Sequence, residues 1–148
     1  MATLATNKKA RYEYEILEKF EAGLVLEGQE VKSIRGGQMR LNGAYVTIAH
    51  GDAFLIGAHI PRYPQAGVLE DYDPERKRTL LLHRRELERL IGKLKTKGYT
   101  LVPLQVVAKG RFIKLEFALA RGKKEFQKKE SIKKRDLDRD VRRTVKIG

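Results

Sequence analysis

Two long apolar runs separated by three residues constrain this chain more than any other feature. Residues 100–108 (TLVPLQVVA) and 112–120 (FIKLEFALA) read as its two clearest strands, and Lys109, Gly110 and Arg111 form a connection of hairpin length. In the second run Lys114 and Glu116 alternate in part with Phe112, Leu115, Phe117 and Leu119, as on a half-buried strand. The other elements have to be arranged around this antiparallel pair.

Those elements are mostly short strands. In residues 12–26 (YEYEILEKFEAGLVL), Tyr12, Tyr14 and Ile16 fall on one face and Glu13 and Glu15 on the other, a strand pattern with Gly23 as its bulge or bend. Residues 44–57 read as two strands joined at His50-Gly51-Asp52. One short helix is expected over 28–37, where Val31 and Ile34 lie three apart and Gly36-Gly37 supplies a stop. A second helix is expected over 79–94 from the spacing of Leu87, Leu90, Ile91 and Leu94, with Gly98 ending it. The preceding Leu80-Leu81-Leu82-His83 suits either an extended segment or the start of that helix. Between His59 and Arg78, three prolines and the acidic Glu70, Asp71 and Asp73 mark a long loop, of the kind that is usually functional or mobile. Five or six strands, two helices and no βαβ alternation predict a mainly β fold with short helices. The architecture expected is an antiparallel OB-fold-like β-barrel, with an open α+β sandwich as the alternative.

Charge divides the chain. It carries 32 Lys and Arg against 19 Asp and Glu, a net of +13 on 148 residues. Residues 121–148 hold 12 of the basic groups and 5 of the acids, so the last fifth carries just over half of the excess. A folded body over 1–120 and a basic tail over 121–148 are expected. Leu137, Val141 and Val145 stand four apart in the tail, a stripe too narrow to offset ordering entropy alone. The tail is expected to be disordered when free and helical against a polyanion; a solvated helix packed on the body by its stripe is the other reading.

A positive field of this size on so small a body points to nucleic acid. No apolar run reaches the roughly 20 residues of a membrane span, and residues 1–9 lack the apolar stretch of a secretion signal, so a cytoplasmic protein is expected. The absence of cysteine excludes disulfides, thiolate zinc sites and cysteine catalysis. The best carboxylate cluster, Glu70-Asp71-Tyr72-Asp73, lacks the spacing of a calcium loop, and no phosphate-cradling glycine loop occurs. No catalytic residue, metal or cofactor is expected; a divalent-metal nuclease using Glu70, Asp71 and Asp73 is the competing class. His50 and His59 read as structural or surface residues. His83 is followed by Arg84 and Arg85, a residue that can stack on a base beside two that can grip phosphate. Lys32 and Arg35 are three apart on the first helix, with Glu30 placed to steer them. Without a helix-turn-helix, finger or basic-zipper signature, RNA is favoured over duplex DNA. Tyr12, Tyr14, Tyr45, Tyr63, Tyr72 and Tyr99 offer stacking faces. A general single-stranded RNA-binding protein is the alternative to recognition of a folded RNA.

Several stretches together resemble the small protein B (SsrA-binding protein) family. They are residues 7–14 (NKKARYEY), 20–35 (FEAGLVLEGQEVKSIR), 73–83 (DPERKRTLLLH), 98–103 (GYTLVP) and 120–124 (ARGKK), in the family's order. The resemblance implies a barrel that binds the transfer-RNA-like domain of transfer-messenger RNA (tmRNA) near its elbow. It implies trans-translation, the rescue of stalled ribosomes, with the protein standing in for the missing anticodon arm and its tail in the messenger channel. The implied partners are this RNA, the ribosome at its decoding region, and elongation factor Tu through the charged RNA; a monomer without a membrane is expected. Transferred residue by residue, RNA binding falls on Glu21, Leu81 and His83, the last often Asn in the family. Ribosome binding is expected of Tyr12, Lys123 and Lys124, of Gln127-Lys128-Lys129, where the family has Asp-Lys-Arg, and of Lys133, Lys134 and Arg135.

Overall fold

In chain order the elements are β1 (Ala2–Thr6), α1 (Ala10–Glu13), β2 (Tyr14–Leu24), α2 (Gly28–Arg35), β3 (Tyr45–Ala49), β4 (Asp52–Ile56), a 3-10 turn (Pro64–Ala66), β5 (Arg78–Leu81), α3 (Arg84–Lys93), β6 (Tyr99–Lys109) and β7 (Phe112–Gly122). The structure is a computed structural model and describes residues 2–66 and 71–123. The expected tail hypothesis, Glu70, Lys124, Gln127, Lys128, Lys129, Lys133, Lys134 and Arg135 lie outside the described residues.

The hairpin read from sequence is the spine of the fold. β6 and β7 pair from Tyr99↔Arg121 to Lys109↔Phe112. Their turn is Gly110-Arg111, with Gly110 at φ +60, the left-handed conformation that a type II′ turn asks of its first central residue. β2 lies along β7 and then β5, and the order β6-β3-β4-β5-β2-β7 closes through the β6–β7 pairing into a ring of antiparallel strands. The barrel expected from the sequence is therefore present, and the open sandwich is not. β1 adds to the edge of β6 beyond the short β3 contact. Residues 2–6 were not expected to form a strand: they alternate weakly, and their pairing is set by the partner edge.

The barrel interior is filled by alternate residues of every strand: Phe20 and Ala22, Val46, Ala53 and Leu55, Leu80, Leu101 and Val106, Ile113, Leu115, Phe117 and Leu119. The Phe20 and Phe117 rings stack with centroids 5.7 Å apart. Residues 100–108 read as almost continuously apolar because β6 is covered on both faces. Outside the barrel Val102 and Leu104 join Ala118, Ala120 and Ala10 of α1 in a second cluster. Pro103 cannot donate to the ladder, and it sits at the irregularity between Pro103 and Gln105. There Asn7 donates its backbone N–H to Leu104 O at 2.8 Å and its side-chain amide to Pro103 O at 2.9 Å.

Other elements depart from expectation locally. Residues 10–13 form α1 rather than the start of a strand, and β2 has its irregularity between Ile16 and Glu18, not at Gly23. The His50-Gly51 turn is as expected, with both residues at positive φ. β7 runs through Gly122, two residues past the boundary drawn from charge. The 59–78 loop is tied down where it is described. Ser33 Oγ donates to Pro61 O at 2.8 Å, the Tyr63 N–H to Gln29 Oε1 at 3.2 Å, and the Tyr72 hydroxyl to Ile60 O at 2.6 Å. Among the described residues no helix is long and apolar enough to cross a membrane.

Candidate nucleic-acid interface

The outer face of β2 turns Glu21 and Gly23 outward, because Phe20 and Ala22 point into the barrel. Gly23 pairs with Leu81 of β5 on one side and Lys114 of β7 on the other. At the end of β5 the chain turns into α3, for which His83 is the N-cap (φ −65°, ψ 146°) and its N–H donates to Glu86 Oε1 at 3.3 Å. α3 is held by the fully buried Leu90 and by Glu18, which meets Arg89 at 2.7 Å and Lys93 at 3.1 Å. These constraints enclose a groove of about 580 Å³. Glu21, Gly23, Leu81, His83 and Glu86 line it together with Arg111, Phe112 and Lys114 from the β6–β7 turn.

The structure thus brings Glu21, Leu81 and His83 into one site from segments about 60 residues apart. Leu81 is 62% exposed, as strand alternation beside the buried Leu80 requires, and with the exposed Phe112 it gives the groove an apolar surface. Glu21 is ion-paired with Lys109, which neutralises the carboxylate that would otherwise repel phosphate. Arg84 and Arg85 are exposed on the first turn of α3; Arg84 also reaches Glu88 at 3.5 Å. α2 borders the groove through Val31. Its exposed cations diverge: Lys32 lies 5.7 Å above the Tyr63 ring, and Arg35 donates to Gly110 O at 3.4 Å.

Glu30 departs from its expected role. It is fully buried, as is Arg78, whose Nη2 and Nε donate to Glu30 Oε2 at 2.6 and 3.1 Å. Arg76 pairs with its other oxygen, which also accepts the Glu27 N–H at 2.9 Å. Burial alone would raise its pKa, but the Glu27 N–H and the two guanidinium groups hold it below the ordinary carboxylate value. A carboxylate so enclosed steers neither Lys32 nor Arg35; it fastens α2 to β5. Sequence spacing placed it correctly on the helix but could not show which face the core would claim.

Of the residues expected to meet the ribosome, Tyr12 and Lys123 are described, and they sit at the other end of β2 and β7. The Lys123 N–H donates to Glu13 O at 2.9 Å and its Nζ to Arg11 O at 2.6 Å. Among the tyrosines, Tyr45 is 53% exposed, whereas Tyr72 points inward to Ile60 O and Glu30. Asp73 is a turn residue whose Oδ1 accepts the Glu75 N–H at 2.9 Å. Among the described residues no three His, Asp or Glu side chains could hold a metal. Arg111, Phe112 and Lys114 line the same groove and were not among the residues expected from the sequence. Their signal was present: an aromatic between cations at a hairpin tip.

Closed ring, basic rim and mixed apolar–polar groove define a small RNA-binding barrel of the oligonucleotide-binding kind. The family model "SmpB protein" matches residues 4–147. An SsrA-binding protein of Chloroflexus aggregans is 48% identical over 146 residues, covering 99% of this chain and 92% of the relative. One from Burkholderia lata is also 48% identical, covering 99% of both chains. A solved structure described as "tmRNA-SmpB: a journey to the center of the bacterial ribosome" is 42% identical, covers 88% of this chain and 95% of its own, and superposes with a TM-score of 0.68. The chain belongs to the SmpB family.

Proposed function

We propose that this protein binds the transfer-RNA-like domain of tmRNA in the Glu21–Leu81–His83 groove and carries it to stalled ribosomes for trans-translation in the cytoplasm. It is an adaptor with no catalysis of its own. The observation that carries the reading is the convergence of those three residues, from separate segments, on one groove with a cationic rim. The names of its relatives and the ribosomal context of the structural neighbour support it. Leu81 offers apolar surface to a base or ribose, and the His83 imidazole a stacking face. Glu21, neutralised by Lys109, accepts N–H donors from a base edge, and Arg84 and Arg85 hold phosphate. The basic segment beyond Lys123 engages ribosomal RNA in the vacant messenger channel, and elongation factor Tu joins through the charged RNA.

The test is a titration of full-length protein against the tRNA-like domain and against a poly-pyrimidine oligomer. The folded RNA is expected to bind tighter, and Glu21→Ala to weaken it about tenfold, the loss of a charge-assisted hydrogen bond. Equal affinity for both RNAs would assign the protein to general single-strand binding instead.

A further inference from the structure

Gly23 is the next-to-last residue of β2, paired on both sides, in a place that does not need a glycine. Its φ is not in the left-handed region, and a Cβ built on it would meet only Leu81 Cβ and Cδ1, at 3.5 and 3.6 Å, ordinary van der Waals contact. Neither backbone conformation nor a clash at Cβ requires glycine there, and a residue paired on both sides gains nothing in stability from lacking a side chain. What the missing side chain does create is a notch, walled on one side by the Leu81 side chain that leans over Gly23. Leu81 and Lys114 flank it on the neighbouring strands, roughly 10 Å apart at two strand spacings. Phe112 stands at its end, 60% exposed, with the Arg111 guanidinium and the Lys114 ammonium 5.7 and 5.8 Å from its ring centroid. An exposed phenylalanine with two cations near its ring, beside a notch floored by backbone and walled by an exposed leucine, has the chemistry of a base-stacking platform.

We propose that the Gly23 notch seats one unstacked nucleobase of the bound RNA. The base packs on Phe112 and against Leu81, and Arg111 and Lys114 take the adjoining phosphate. This rests on the groove being the RNA-binding site and adds a single-base subsite to it. The slot admits a planar group because position 23 has no side chain, and valine there would occupy it while suiting a strand.

The experiment compares full-length wild type, Gly23→Val, Phe112→Ala, Phe112→Tyr and the Arg111→Ala/Lys114→Ala double variant. Each is titrated with the tRNA-like domain at several salt concentrations, with thermal unfolding as the check on folding. Gly23→Val and Phe112→Ala are expected to bind roughly tenfold more weakly or worse, with unchanged salt slope and Gly23→Val at least as stable as wild type. Phe112→Tyr keeps the platform and binds like wild type. The double variant lowers the salt slope by about 1 to 2. If wild type binds and folded Gly23→Val and Phe112→Ala bind equally well, the notch is empty and the proposal falls while the RNA-binding reading stands. If wild type itself does not bind, both fall.

Discussion

Burying Glu30 and Arg78 takes two full charges out of water, at a cost of several kcal/mol per ion that only close pairing and full hydrogen bonding offset. The Arg78 fork is satisfied on every side, by Glu30, by Ala58 O at 2.8 Å and by Pro74 O at 3.0 Å. Breaking one partner strands the other: Glu30→Gln is expected to cost about 3–5 kcal/mol in chemical denaturation. Replacing both, as Glu30→Leu with Arg78→Met, is expected to cost clearly less than the two single changes added. The pair also sets an acid limit. Glu30 has a folded-state pKa below its ordinary 4.5, so its stabilisation is complete above that value and is lost as pH falls through the lower one. Stability measured from pH 6 downward should decline below about pH 4.5 in the wild type. Glu30→Gln lacks this contribution to the decline. The same residue marks a limit of sequence reading. A carboxylate three positions before Ser33 and four before Ile34, both buried, lies on the inward side of α2, but no spacing rule announces that Arg78, 48 residues on, will be there to meet it.

At the scale of elements, α3 is a short amphipathic helix whose hold on the barrel fixes where His83 stands. Leu90, fully buried, is its single deep anchor. Leu90→Ala is expected to cost about 2–5 kcal/mol and to reduce RNA affinity as well, read by thermal unfolding and by titration of the same sample. Loss of stability with intact affinity would show that the cap residue is positioned by β5 alone. The elements legible in the sequence were those with a strong local signal: the β6–β7 and β3–β4 hairpins with their glycine turns, α2 with its glycine stop, and the spacing of α3. β1 and α1 were not, because both owe their form to partners distant in sequence. β1 lies on β6 a hundred residues away, and α1 closes a small cluster over Val102 and Ala118. The site was legible in part for the same reason. Glu21, Leu81 and His83 came from resemblance, since nothing local distinguishes an outward Leu81 from the buried Leu80 beside it. The hairpin tip could have been found from Arg111-Phe112, a cation and an aromatic where a turn has to be exposed.

For the whole molecule, the proposed function divides labour between the barrel and the basic residues that follow it. Truncation after Lys123 is expected to leave affinity for the tRNA-like domain within a few-fold at moderate salt, and to abolish rescue in a reconstituted translation system. Loss of both activities together would place RNA recognition in the tail. The closed ring suits this division, since every strand from β2 to β7 is paired along both sides for part of its length.

The attachment of Lys123 to the Arg11 and Glu13 carbonyls has a geometric consequence. Lys114 lines the groove, and Lys123 is the last described residue, nine residues further along the extended run of β7, or about 30 Å at some 3.4 Å per residue. Both ends of that strand are pinned, so the body works as a gauge block: it fixes the separation between the groove and Lys123.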